Sequence, residues 1–283
     1  MIETQQNESF YSLRTIDGHP RDCDIYAANN MSLAHSACLI ALRQEIWSVL
    51  LYRRPFRFPL CPDNDYTNLD AAVDEYIWVN RILIWCADIC KFCFGGEGGV
   101  IDMNGRLERW KRLKAVQDKW DTIQPACFKP LYYKEADPSQ GRYFPEEWHM
   151  NECQVVGLQH LELSRVLLAA YDPNLQRIGL GASSSISSLE AQLRRSTIRL
   201  CGLALNSLNS HSQPAMVTAA VGISMCGEYI RDPGEQAAIE GFLGILEREH
   251  AWPTQNVMFA LRDAWSLRRK QSESFSVSGG QMT

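Results

Sequence analysis

No apolar run in this chain approaches the roughly 18 residues that a membrane-spanning helix needs, and Met1–Ser12 lacks the apolar core of a signal peptide. A membrane partner is therefore not expected. Positive charge is also short: the net charge is −5 and the isoelectric point is near 5.7. A basic face that could neutralise phosphates is missing, so direct DNA binding is not expected of this chain. There is no Gly-x-Ser-x-Gly elbow, no P-loop and no dinucleotide fingerprint. An Asp-Asp-x-x-Asp cluster, which would hold magnesium and diphosphate in a helical isoprenoid synthase, is missing too. The ten cysteines lack disulfide-framework spacing and read as small buried hydrophobes in a reducing setting. No stretch alternates convincingly enough to make a strand. The expected fold class is all-α, with no catalytic residue required by any motif and no cofactor.

What is present is helical periodicity. The segment 143–173 carries Trp148, Val155, Gln159, Leu163, Val166 and Ala170 on one ladder, with Leu158, Leu161 and Leu168 pointing the other way. A helix apolar nearly all round belongs inside a large core. Pro145 suits a first helical turn, Glu146 and Glu147 suit the positive end of the macrodipole, and Asp172-Pro173 ends the run. This stretch is predicted to be a central buried helix.

About seven further helices are expected around it. One carries Leu39, Leu42, Ile46, Val49 and Leu50 on a face and stops at Pro55 and Pro59. A second is predicted to start on a capping box at Thr67 and Asp70 and to end at the glycines of 95–99. A basic one runs from about Leu107 to Trp120, and a long aromatic connector follows, predicted to lie against the helices. After the loop GASSSISS, Ser187 and Glu190 start another. Pro214 and the box Asp232-Pro233-Gly234-Glu235 start two more, and Thr254 caps the last. The resulting organisation is a loose arm over 1–30, one large helical domain over 31–267 and a disordered Ser/Gly-rich tail over 268–283.

Three constellations bear on chemistry. Cys86-x3-Cys90-x2-Cys93 has the spacing of a radical-SAM iron–sulfur motif. It lies in a helical pattern, where i, i+4, i+7 spacing alone brings three residues within about 60°. The expected reading is core cysteines and no metal; an iron–sulfur enzyme is the alternative. His149 with Glu152 and His160 with Glu162 lack the i, i+4 histidine pair of a zinc-protease helix, and Asp63-x-Asp65-x-Thr67 lacks the glycine of a calcium loop. Glu152 and Gln159 share a face with apolar neighbours, so they must be paired or line a cavity. Arg43 and Arg81 are candidate partners, and Glu152, Gln159 and Arg43 are the candidate ligand pocket.

ALRQEIWSVLLYRRPFRFPL (Ala41–Leu60) resembles the regulatory domain of fungal zinc-cluster transcription factors, through Arg43, Gln44, Glu45, Ile46, Trp47 and then Arg53, Arg54, Pro55. The resemblance extends through NRILIWCADICKFCFG, the central helix, PAMVTAAVGISMCGEYIRDPGEQAAI and REHAWPT, about residues 31–265. It implies a non-catalytic helical domain, located in the nucleus, that controls transcription by RNA polymerase II. It would act through a small-molecule effector, self-association or transcriptional co-regulators, and a helical small-molecule sensor is the alternative. The family's six-cysteine DNA-binding zinc module is not found: residues 1–37 hold one cysteine. A truncated member and a regulator without its own DNA contact both fit.

Overall fold

In a computed structural model the long apolar rows of the sequence become eight α-helices among the described residues. It describes residues 33–60, 65–67, 74–95, 103–206 and 212–279, with side chains as far as 270. The expected arm over 1–30 and the Asp70 half of the expected capping box lie outside the described residues.

The helices are α1 (Leu33–Tyr52), α2 (Glu75–Phe94), α3 (Met103–Ile123), α4 (Glu152–Ala170), α5 (Ala182–Leu205), α6 (Gln213–Cys226), α7 (Pro233–His250) and α8 (Gln255–Gly279). The all-α expectation holds. α4 is the central rod: it packs on α2, α5 and α6, with α1 laid across α2 and α6 and α7 against α6. Val155, Leu158, Leu161, Leu163, Val166, Leu167 and Leu168 are all buried, so α4 turns apolar side chains to every neighbour. Close approach needs small residues. A Cβ on Gly157 would stand 3.1 Å from Val79 and 3.2 Å from Phe128, and one on Gly222 would run into Leu200.

α1 ends where Arg53 takes a left-handed φ of 50°. The chain is then tied back on itself: Arg54 clamps the carboxylate of Glu45, which also accepts the Arg57 N–H at 2.9 Å. Glu45 is buried, and this pair fixes the turn that follows α1. Gly95 ends α2 with φ −72°. Glycine is needed there because a Cβ would collide with the Lys91 carbonyl, not because the backbone turns left-handed. The box at Asp232 forms as expected, with its carboxylate accepting the Glu235 N–H at 2.9 Å.

Four expectations are corrected. The central helix starts at Glu152, capped by Asn151, and not at Pro145. Glu146–Trp148 is instead strand β2, paired antiparallel with β1 (Tyr132–Lys134) in the register Tyr132↔Trp148. Glu147 is therefore drawn inward while Trp148 is half-exposed. A three-residue strand in a connector is too short to alternate visibly in sequence. GASSSISS is not a loop: α5 starts at Ala182, entered through Gly181 at φ 93°. α2 begins after Asp74, and Thr67 sits in a short 3-10 turn. Thr254 stands at the N-cap of α8 as expected, its carbonyl accepting the Met258 N–H at 2.9 Å, and its hydroxyl donates to Glu247 Oε2 at 2.6 Å. That helix runs on through Arg268 to Gly279, where composition predicted disorder. The aromatic connector does pack down: Phe128 is fully buried, edge-on to Trp120 at 5.2 Å, with Trp78 beyond.

Candidate functional site

The face of α4 singled out in the sequence lies between α1, α5 and α6. Glu152 is half-buried at the start of α4, and its carboxylate accepts the Ser212 hydroxyl from the entry to α6. Gln159, two turns on, is fully buried. Its amide donates to Leu200 O at 3.2 Å and Ala215 O at 3.0 Å, lacing α4 to α5 and α6. The arginine partners expected for these two residues are thus replaced by a hydroxyl and two carbonyls, because α5 and α6 end their approach closer to Gln159 than any guanidinium. Arg81 is buried on α2 with its guanidinium 5.3 Å from the Trp78 ring.

Arg43 stops short of an ion pair with Glu152. It lies half-buried on α1, 5.8 Å from the ring centre of Trp47, within the electrostatic field of Glu152 and Cys153. Burial holds its guanidinium below the usual arginine range, with Glu152 opposing that shift. The structure therefore sets Arg43 within the field of Glu152 without contact, while Gln159 faces α5 and α6. Near them is a residue whose part had not been expected, His160. It is fully buried, its Nδ1 is 2.8 Å from Val156 O, and a carbonyl can only accept. Nδ1 therefore carries the proton and Nε2 presents a bare lone pair. Burial lowers its pKa to about 4, partly offset by the Val156 bond and aided by Arg43, so the ring is neutral at pH 7. Arg43 Nε, Trp47 Nε1 and His160 Nε2 are buried atoms with no hydrogen-bond partner.

On another face of α4 sits a cluster the sequence did not disclose. Arg199 of α5 reaches Glu147 of β2 through two bonds, at 3.0 and 2.8 Å, and Glu162 of α4 through a third at 2.6 Å. Ser196 donates to the other Glu162 oxygen at 2.9 Å. Arg165 joins Glu162 to Asp121 of α3. His149 lies 3.0 Å from Glu147. Burial alone would raise the Glu147 carboxyl, but the bonds from His149 and Arg199 outweigh it and bring the pKa down to about 2. Burial works against the Arg199 charge as well, and the two carboxylates more than restore it. The arrangement holds charges still. Its only sequence signal was an arginine inside the apolar row Leu193–Leu200, since Glu147 looked like a helix-start residue.

Cys86 and Cys90 are fully buried in the core of α2 and Cys93 is half-buried. Burial, reinforced by the neighbouring sulfurs, pushes the Cys90 thiol well above its ordinary range, and burial raises Cys93 too. Metals bind thiolates, which these sites disfavour. Among the described residues no group of three or more His, Cys, Asp or Glu side chains is placed to hold a metal ion, and no helix is long and apolar enough to cross a membrane. A cavity of about 10 Å³, lined by Tyr66, Trp78, Arg81, Trp85, Trp120 and Leu161 among others, lies on the α2–α3 side, away from Arg43 and Glu152. That is room for about one water molecule.

No family model matches the chain, and neither a curated protein nor a solved structure matches it.

Proposed function

We propose that the chain is a non-catalytic regulatory domain of a transcription factor of the fungal zinc-cluster kind. In this reading it works in the nucleus and controls transcription by RNA polymerase II through an effector or a protein partner. The observation that carries the reading is the use made of the stretch bearing the resemblance. Glu45 and Arg54, from Arg-Gln-Glu-Ile-Trp and Arg-Arg-Pro, form a buried clamp that closes α1 onto the turn after it. The helical architecture around α4 supports the same reading.

The test is a reporter assay. The full chain is fused behind a heterologous zinc-cluster DNA-binding module, and its output is compared with that of the module alone. The expected outcome is a change of several-fold in either direction, abolished by Glu45→Lys, which puts a like charge against Arg54. Output equal to that of the bare module, with the fusion folded and nuclear, would remove the reading.

A further inference from the structure

We infer that Ser187 on α5 is a phosphorylation site for an acidophilic serine kinase, and that its phosphate ties α5 to α8 through Arg231 and Arg268.

Ser187 and Glu190 have the spacing of a capping box, yet they cap nothing: α5 begins more than a turn earlier, at Ala182. Ser187 therefore stands on the second turn of the helix, exposed. A serine followed three residues on by an acid is what acidophilic kinases take, and Ser187 is the only serine in the chain with that spacing. A kinase holds its substrate segment extended, so the helix has to open there. Little opposes that. Ser183, Ser184, Ile186, Ser187 and Ser188 are all exposed, and Ala182 is the one buried residue of α5 ahead of Leu193. Serine is a modest helix former, and Gly181 enters α5 with no side-chain cap. A helix end with so few buried contacts opens at small cost.

The charges around Glu190 suit a phosphate. Its carboxylate holds Arg231, from the segment ahead of α7, and Arg268 of α8 at 3.7 Å. Two guanidiniums share one carboxylate, and their side chains keep 71% and 35% of their surface open to further anions. Residues three apart on a helix are neighbours, and helical side chains lean towards the N-terminus, so Glu190 leans over the turn that carries Ser187. A phosphate on Ser187 adds a charge of about −1.5 to −2 and three acceptor oxygens beside both arginines. Arg268 also lies 5.1 Å from the Tyr229 ring centre, and Trp265, less than a turn before it, donates to Gly227 O at 2.9 Å. The phosphate thus grips the part of α8 already seated on the turn 227–229.

The transfer breaks the bond between the γ-phosphorus of ATP and its bridging oxygen and forms one to Ser187 Oγ. ADP leaves, and the hydroxyl proton passes to the kinase and then to water. The site does not depend on what the domain regulates.

The folded full chain is incubated with casein kinase II and magnesium-ATP, and modified residues are mapped by mass spectrometry. Phosphate is expected at Ser187 and is lost in Ser187→Ala. Hydrogen exchange over residues 261–270 is then compared before and after phosphorylation. It is expected to slow about three-fold, the size of an exposed ion pair. That slowing should vanish when Arg231→Gln is combined with Arg268→Gln, and persist in Arg195→Gln, an exposed arginine further along α5. No phosphate at Ser187, or phosphate on Thr67 alone (the one threonine with an acid three residues on), overturns the site. Phosphate at Ser187 with exchange unchanged, or slowed equally in the double variant, overturns the tie to α8.

Discussion

Two arginines lie against α4 from different sides, and the protein treats them in opposite ways. Arg199 is locked between Glu147 and Glu162, with Arg165 sharing Glu162 Oε1 and Ser196 donating to Oε2. Arg43 is half-buried with its Nε–H unmatched, next to two more unmatched polar atoms, Trp47 Nε1 and His160 Nε2. Glu162 and His160 are only two residues apart in sequence, yet successive helix positions point about 100° apart and so serve different neighbours. On one side of α4 every oxygen of Glu147 and Glu162 has a donor, and His149 Nδ1 alone in that joint is unmatched. The other holds reserve hydrogen-bonding capacity. A buried charge that is fully paired specifies geometry, while one left open raises the energy of the ligand-free state and favours whatever closes it.

The sharpest way to break this contrast is to remove each guanidinium in turn. Arg199→Met leaves buried Glu147 with His149 as its remaining partner and Glu162 with Arg165 and Ser196, and is expected to cost about 3 kcal/mol in urea unfolding. Arg43→Met should stay within about 1 kcal/mol of the parent, since an unpaired, partly desolvated cation is exchanged for an apolar chain of similar length. Equal losses would erase the distinction between the two sites. Gly202→Ala probes the Arg199 joint from its backbone side. The new Cβ would stand 2.5 Å from Pro145 O, just before β2, and should cost about 1–3 kcal/mol through displacement of the strand that carries Glu147. Glu45→Gln should cost about 1.5 kcal/mol by weakening the Arg54 clamp, with the turn after α1 cut earlier in limited proteolysis.

Acid separates the two sides by pH window. His160 has its folded pKa depressed from 6.5 to about 4, so its neutral form is favoured by the fold. As pH falls below 6.5 the unfolded chain binds the proton first, and stability drops between there and about 4. Glu147 is depressed from 4.5 to about 2, so its contribution is complete above 4.5 and is lost as pH falls towards 2. The urea midpoint of the parent should therefore decline from pH 6.5 to 5, and His160→Gln should flatten that decline while leaving the drop below 4.5 in place. A parent flat over that upper window would contradict the burial of a neutral His160. At the far end of the scale, Glu108→Ala removes an exposed bond to Lys111 on α3 and should leave the melting temperature unchanged.

Much of the helical layout was legible because it depends on local pattern. α1, α2, α6 and α7 follow from apolar rows at helical spacing and from breakers such as Pro55, Pro214 and Asp232-Pro233, whose effect needs no distant partner. The errors cluster where a distant partner decides. Pro145, Glu146 and Glu147 satisfy every local rule for a helix start, yet pairing with Tyr132–Lys134 and the pull of Arg199 make them a strand. The small-residue run at 181–188 is helical because α5 docks on α6 and α4, an outcome that serine and glycine content cannot report. Of the candidate pocket, Arg43 and Glu152 were visible as polar residues in apolar rows. His160 was met only as half of a metal pair that did not qualify, because its importance lies in which nitrogen Val156 occupies.

Sequence alone was enough to decide that this chain makes helices and that the stretch now seen as α4 would be buried. Those properties are sums over neighbouring residues. Which polar atoms end up paired was decided only by tertiary structure, since Arg199 and Glu147 are 52 residues apart and meet through the folding of a ribbon between them. A hydrogen bond acts over about 3 Å, so whether a buried charge is satisfied depends on where distant helices come to rest.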